Sequence, residues 1–454
     1  MLGFLLVAVV VLGLLGGVHR YVWRRLVRDV TVRGSVARRV GTGAAFVLPA
    51  LSVAALVSSR AGAPFWLQQV VAWPGYLWLA LLLYVTLALV VGEAVRPLLR
   101  RALERRAADR AAEQSPATTP TQAPTPAPAP VPATVPAAPA EEAPAPPAES
   151  SVESPGEIAG ESVVESTREG TATPPGATAV SRRLFVSRVV GGAAAAAAVG
   201  TVGYGTYGVL RGPSVKRVTV PLAKVPRALH GYRIAVVSDI HIGPILGRAH
   251  TRRIVETINS TQPDLIAVVG DLVDGTVENL GSAAEPLAQL KARHGSFFVT
   301  GNHEYFSGAD AWVDHVRELG LRPLRNERLE IAGGFDLAGV DDIAGESEGQ
   351  GPDFAAALGD RDLAKAAVLL AHQPIVIDDA VRHGVDLQLS GHTHGGQLWP
   401  GNYLAELANP TVAGLERYGD TQLYVSRGAG AWGPPVRVGA PSDITVVQLA
   451  SKQA

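Results

Sequence analysis

The chain has 454 residues, of which 47% are hydrophobic and 18% charged, with a formal net charge of −1. That length allows one to three globular domains, and the near-neutral balance gives no support for a nucleic-acid partner, which favours a basic domain. Cysteine is absent, so disulfides, thiolate metal sites, iron–sulfur clusters and a cysteine nucleophile are excluded.

Residues 1–110 read as a membrane region with three predicted transmembrane helices, at about 1–18, 41–58 and 73–92. Residues 1–18 are apolar and carry no charge, close to the ~20 helical residues that cross a bilayer core. A cleaved signal peptide is the alternative, but no basic stretch precedes the apolar run. Trp66, Trp73, Tyr76 and Trp78 fall where an interfacial aromatic belt belongs. Residues 19–39 hold seven Arg and one Asp, 59–72 hold Arg60 as their one charge, and 96–110 hold six Arg. The positive-inside rule puts the first and last of these segments in the cytoplasm and the N-terminus outside.

Residues 111–180 read as a Pro/Ala-rich disordered linker, since 15 of the 33 prolines lie between 115 and 180. A segment this poor in large apolar side chains cannot offset its conformational entropy by burial. Residues 181–210 begin with Ser181-Arg182-Arg183-Leu184-Phe185-Val186, similar to a twin-arginine export signal, and continue as an Ala/Gly-rich fourth transmembrane helix. Three earlier spans and the paired arginines together put everything after about residue 211 outside the cytoplasm. A fourth helix that packs in the membrane without crossing would reverse that side.

From about residue 215 the texture becomes that of a folded α/β domain. Strands are expected at 233–237, 265–269, 297–300, 337–340, 367–371, 386–389, 423–426 and 444–449, and helices at 248–260, 282–293 and 310–319. Strands apolar on both sides imply a sheet buried on both faces. No helical pattern separates the later strands, which favours a mixed α/β sandwich over a purely parallel sheet.

Five polar clusters each follow an expected strand: Asp239-Ile240-His241, Gly270-Asp271-Leu272-Val273-Asp274, Gly301-Asn302-His303-Glu304, Ala371-His372 and Gly391-His392-Thr393-His394. Ligands of open α/β sheets bind beyond the carboxyl ends of strands, so the clusters can converge on one edge. Any one of them could be a solvated turn. Five at five strand ends are hard to explain as packing, because buried polar groups cost free energy unless paired. Acids, imidazoles and one amide form a hard-to-borderline ligand set suited to Mn, Fe or Zn.

In this order and spacing the clusters resemble the five signature blocks of calcineurin-like metallophosphoesterases, with none missing. Gly391-His392-Thr393-His394-Gly395-Gly396-Gln397 and Ser426-Arg427-Gly428-Ala429-Gly430 are more narrowly similar to a bacterial membrane-anchored or exported phosphodiesterase branch. The resemblance covers about 215–454 and implies a mixed-sheet α/β sandwich built on βαβαβ, here preceded by transmembrane helices and a linker. It implies two divalent metal ions. Asp239, His241 and His394 would bind one, Asn302, His372 and His392 the other, and Asp271 would bridge them. His303 would face the substrate and stabilise or protonate the leaving oxygen, and Asp274 would orient His303 or a ligand.

The implied activity is phosphoester hydrolysis by a metal-bridging hydroxide, with phosphodiesters favoured and lipid-linked or cell-envelope substrates fitting a domain tethered near the bilayer. A phosphomonoesterase or protein phosphatase, and a non-catalytic metal-binding sensor or scaffold, are the alternatives. No nucleic-acid partner is expected. His19, His230, His250, His294, His315 and His383 read as surface or capping residues, and Trp399 and Trp432 as rim or core packing. Arg427 and Arg437 fit equally a contact to a substrate phosphate or a structural ion pair.

Overall fold

The computed structural model describes residues 2–113 and 182–453, so the linker expected at 111–180 lies almost wholly outside the described residues. Four long helices come first: α1 (Leu2–Trp23), α2 (Val36–Ser58), α3 (Phe65–Glu113) and α4 (Arg182–Leu210). Each of the first three extends past its expected apolar stretch, because flanking sequence such as Arg100–Glu113 is rich in good helix formers. Among the described residues, Val36–Ser58, Phe65–Arg110 and Leu184–Leu210 are long and apolar enough to cross a membrane. At one end of the bundle, Arg25 Nε meets Glu93 Oε1 at 2.8 Å and Arg25 Nη1 meets Asp29 at 3.2 Å, tying the end of α1 to α3. These charges sit where the sequence puts its first basic loop.

The remaining chain forms two six-stranded sheets. The strands are β1 (Ser214–Leu222), β2 (Arg233–Val237), β3 (Leu265–Val269), β4 (Ser296–Val299), β5 (Arg322–Pro323), β6 (Glu327–Ile331), β7 (Phe335–Gly339), β8 (Ala366–Leu370), β9 (Leu387–Ser390), β10 (Gly414–Tyr418), β11 (Thr421–Val425) and β12 (Asp443–Ser451). One sheet runs β1-β12-β2-β3-β4-β5 and the other β10-β11-β9-β8-β7-β6. The helices of this half are α5 (Arg248–Ser260), α6 (Val277–Ala284), α7 (Asn302–Ser307), α8 (Ala309–Glu318), α9 (Phe354–Leu358), α10 (Ile377–Arg382) and α11 (Gly401–Ala408).

The expected βαβαβ unit is β2-α5-β3-α6-β4, whose strands pair in parallel. Its strands are apolar on both sides because each face meets a different core. One face packs on the second sheet through Ile234, Val236, Leu265, Val269, Phe335 and Leu370. The other packs on helices through Ile254, Ile258, Leu280, Trp312 and Val316. β12 inserts between β1 and β2, antiparallel to β2, so the mixed-sheet expectation holds.

Three details differ from expectation. The helix expected at 282–293 is instead α6 followed by a 3₁₀ turn, Glu285–Gln289. Pro286 lacks the N–H that would continue an α-helix. The later strands, expected to follow one another without helices, have α9, α10 and α11 between them, and these are only 5, 6 and 8 residues long. β1, β6 and β10 escaped the sequence reading because they are half-exposed, as Glu327-Arg328-Leu329-Glu330-Ile331 illustrates, and carry no apolar run.

Candidate metal centre

Every expected ligand sits just past the carboxyl end of a strand: Asp239 and His241 after β2, Asp271 after β3, Asn302 after β4, His372 after β8, His392 and His394 after β9. The two sheets therefore contribute to one edge. The backbone there is strained. Among the described residues, eight non-glycine residues have positive φ, and six of them are Asp239, His241, Asp271, His392, His394 and Gln397, with φ from 47° to 71°. A left-handed non-glycine residue costs of order 1–3 kcal/mol and persists only where its surroundings hold it. Such strain concentrated on the expected ligands marks a functional edge.

Glycines let these turns close up. A Cβ on Gly391 would overlap Ser238 Oγ and Asp239 Oδ2, and one on Gly301 would overlap Asp271 Oδ1 and its backbone nitrogen.

Three groups of donor atoms form there, each with its atoms within 4.8 Å of one another: Asp239, His241 and His394; Asp271, His372 and His392; and His241, Asp271 and His303, which links the first two. His241 Nε2 lies 3.0 Å from His394 Nε2 and 3.9 Å from Asp271 Oδ2, and His372 Nε2 lies 3.2 Å from Asp271 Oδ2. Asp271 thus stands between the first two groups. Asn302 Oδ1 joins the second, 3.0 Å from His392 Nδ1.

The tautomers decide whether cations fit. His241 Nδ1 lies 2.8 Å from Asp274 Oδ1, which fixes its proton there and turns the Nε2 lone pair into the centre. His372 Nδ1 donates to the Val269 carbonyl at 2.9 Å, so its Nε2 faces a carboxylate, an arrangement that requires a proton or a cation between them. His394 is held differently. Arg437 Nη2 lies 2.9 Å from His394 Nδ1 and has only donors to offer, so His394 carries its proton on Nε2, toward His241. To bind an ion through Nε2 the neutral ring would carry its proton on Nδ1 instead, and the Arg437 guanidinium would have to turn away from that nitrogen. The donor set fits divalent cations.

His303 shares a donor group with His241 and Asp271 but is more open than they are. Its side chain is 14% exposed, against none for His241 and His372. Its Nδ1 lies 2.7 Å from Asp274 Oδ1, the oxygen that also meets His241. Burial alone would lower the His303 pKa, but the bond to Asp274 and the charges of Asp271 and Asp274 outweigh it and lift it to about 9. Burial likewise opposes ionisation of Asp274, and the two imidazoles win, holding it at about 2. Burial, helped by His372, lowers His392 to about 4, which keeps its ring neutral. Phe306 and Trp432, both largely exposed, set their rings edge-on to His303 at 5.6 and 5.7 Å and form an apolar lip.

All eight residues named from the sequence converge here, with Asp274 in the orienting position. Three further residues contribute: Glu304 and Ser238, for which the sequence suggested no role, and Arg437, expected to contact a phosphate or form an ion pair. Glu304, fully buried, accepts backbone N–H bonds from Gly301, Asp271 and Leu272, locking two ligand turns together. Its place directly after Asn302-His303 was the available signal. Ser238 Oγ bonds Asp239 Oδ2 at 2.6 Å. Arg437 is buried and donates to the carbonyls of Gly430, His394 and Ala440, so it positions His394 and does not form an ion pair. Of the histidines expected at the surface, His250 is instead buried, on the inner face of α5.

The calcineurin-like phosphoesterase family profile matches residues 232–396, which hold all of these ligands. A transmembrane protein with metallophosphoesterase domain from Danio rerio is 40% identical over 264 residues, 55% of this chain and 60% of that protein. The match therefore spans less than two thirds of that relative. An uncharacterized metallophosphoesterase of Aquifex aeolicus is 35% identical over 242 residues, 52% of this chain and 92% of that protein. Among solved structures, a dimetal phosphatase from Danio rerio aligns with 49% of this chain and 93% of its own, at 11% identity and a TM-score of 0.33.

Proposed function

The chain belongs to the calcineurin-like phosphoesterase family, and on that premise we propose that it is a membrane-anchored, metal-dependent phosphohydrolase acting on phosphodiesters. One observation carries the reading: at a strained edge Asp271 belongs to two donor groups, with His372 and His392 on one side and with His241 and His303 on the other, and His241 also joins Asp239 and His394. When bound, two divalent ions supply Lewis acidity toward phosphoryl oxygens and hydroxide at neutral pH.

The chain's own residues supply the rest. Asp239, His241 and His394 would hold one ion, Asn302, His372 and His392 the other, and Asp271 both. Asp274 fixes the His241 ring and, through the same oxygen, aims His303. His303 Nε2 carries a proton when the ring is charged and would give it to the departing ester oxygen, a role worth ~10²–10⁴ in rate. Phe306 and Trp432 give the entrance apolar walls, which suit a phosphate bearing two organic substituents.

The anchoring reading draws on the apolar helices, and the site-bearing domain is taken to lie on the extracytoplasmic side. In support, Phe65, at the start of α3, packs on the domain core, and α4 ends only four residues before β1. Those two helix ends belong on the side where the sequence has its charge-poor loop, 59–72. A tethered site has a raised effective concentration toward lipid-borne or envelope phosphoesters.

The test uses full-length protein in detergent, stripped of metal and reloaded with Mn²⁺, assayed on a chromogenic phosphodiester and the matching monoester. Metal-dependent diester turnover above monoester turnover is expected, and it should fall ~10²–10⁴-fold in His303→Ala. Preference for the monoester would overturn the diester assignment. No turnover by folded, metal-loaded protein would favour a binding module.

A further inference from the structure

We propose that helix α11, with the turn that precedes it, is embedded in the bilayer leaflet nearest the metal centre and holds the domain on the membrane as a monotopic element. The proposal rests on α3 and α4 being membrane spans. It does not depend on which phosphoester is cleaved.

α11 has no buried residue. Tyr403, Leu404 and Leu407 are 58%, 71% and 83% exposed, and Trp399, just before the helix, is 48% exposed. At about 100° per residue, Tyr403, Leu407, Leu404 and Ala408 fall on one arc of roughly 140°. Glu406, the helix's one charged residue, lies outside that arc. Contiguous exposed apolar surface of this kind marks an interaction face.

What covers the face follows from where the segment is fixed. Tyr84 OH, on α3, donates to the Trp399 carbonyl at 3.0 Å. Leu398, Val436 and Val438 pack in one cluster with Ala80, Val85 and Leu89 of α3 and with Ala194, Ala198 and Val202 of α4. The Arg437 N–H donates to the Gly205 carbonyl of α4 at 3.3 Å. Tyr84 is nine residues along α3 from Glu93, whose pairing with Arg25 marks the far boundary of the apolar zone. Nine helical residues rise about 13 Å, near half of a ~30 Å hydrocarbon core. The turn leading into α11 is therefore at hydrocarbon depth on the sides of α3 and α4, and the Leu and Tyr side chains that follow face lipid. Helices with one apolar and one polar face lie in that way at membrane interfaces.

The same segment joins the membrane to the metal centre. Only Gly395, Gly396 and Gln397 separate His394 from Leu398, and the neighbouring segment that packs on α3 and α4 carries Arg437, which touches His394. A phosphate head group could reach the centre while its apolar chains stayed in the leaflet.

The test exploits the absence of cysteine. Full-length protein carrying one cysteine, at Leu407→Cys, Leu404→Cys, Val90→Cys on α3 or Asp360→Cys on an exposed loop, is labelled with an environment-sensitive fluorophore. It is then reconstituted into phosphatidylcholine/phosphatidylglycerol vesicles. Probes at 407, 404 and 90 are expected to be quenched by brominated lipid and shielded from iodide, and the probe at 360 the reverse. Probes at 407 and 404 open to iodide, with 90 still quenched by lipid, would overturn the proposal and leave the spans standing. Probes at 407, 404 and 90 all open to iodide would overturn both. Probes at 407 and 404 shielded from both quenchers would mean a protein surface, such as a second copy, covers α11, and would also overturn it.

Discussion

Replacing Asp274 by Asn should weaken metal binding about ten- to a hundredfold while leaving every proposed ligand in place. Asp274 Oδ1 receives His241 Nδ1 at 2.8 Å and His303 Nδ1 at 2.7 Å. Hydrogen bonds to a charged group are worth ~1.5–3 kcal/mol and neutral ones about half as much, so an amide oxygen forfeits about 1 kcal/mol per bond. Burial opposes ionisation of Asp274, yet its pKa falls from 3.8 to about 2, so the two rings together outweigh burial by about 2.4 kcal/mol net. Competition with a fluorescent chelator measures the affinity directly. Because His303 shares the same oxygen, the substitution is repeated on His303→Ala, where the loss must persist if it acts through His241. Affinity within twofold of the parent chain in both backgrounds would refute the orienting role of Asp274.

Arg437→Met should lower stability by about 3 kcal/mol, because it strands three buried carbonyls, each costing ~1–3 kcal/mol before relaxation; an unchanged thermal midpoint would contradict the positioning role. His250 has no hydrogen-bond partner on either ring nitrogen, and burial, with Arg253 and Arg437, drops its pKa from 6.5 to about 4. Above pH 6.5 both folded and unfolded rings are neutral; between 6.5 and about 4 only the unfolded chain takes the proton, so stability falls as pH falls, by up to about 3 kcal/mol. His250→Leu should remove that part of the slope in denaturant titrations at pH 4 to 7, and an unchanged slope would sink the assignment. A cysteine at Gln453, in a chain with no other, should react with an impermeant maleimide in intact cells; labelling only after lysis would place the domain in the cytoplasm.

The elements legible in the sequence are those whose environment is uniform. β2, β3, β8 and β9 are buried on both faces and announce themselves as apolar runs, and the polar cluster after each is conspicuous for that reason. The ligands were legible together because strand ends bring distant residues to one edge. What escaped has physical causes. Edge strands such as β6 and β10 have no apolar signature, and Pro286 cuts short a helix whose apolar pattern runs on. Arg437 lies 43 residues from the His394 it holds, and only the folded chain shows that its donors are spent on carbonyls. The left-handed backbone at Asp239, His241 and Asp271 is invisible in a sequence that offers no glycine there.

The most direct measurement is the number of ions each chain retains. Full-length protein is stripped, dialysed against Mn²⁺ and counted by mass spectrometry of the metal, beside Asp271→Asn. Two ions per folded wild-type chain and fewer than two in Asp271→Asn are expected if Asp271 is shared between two donor groups. A single ion in both, or two in both, would contradict that geometry.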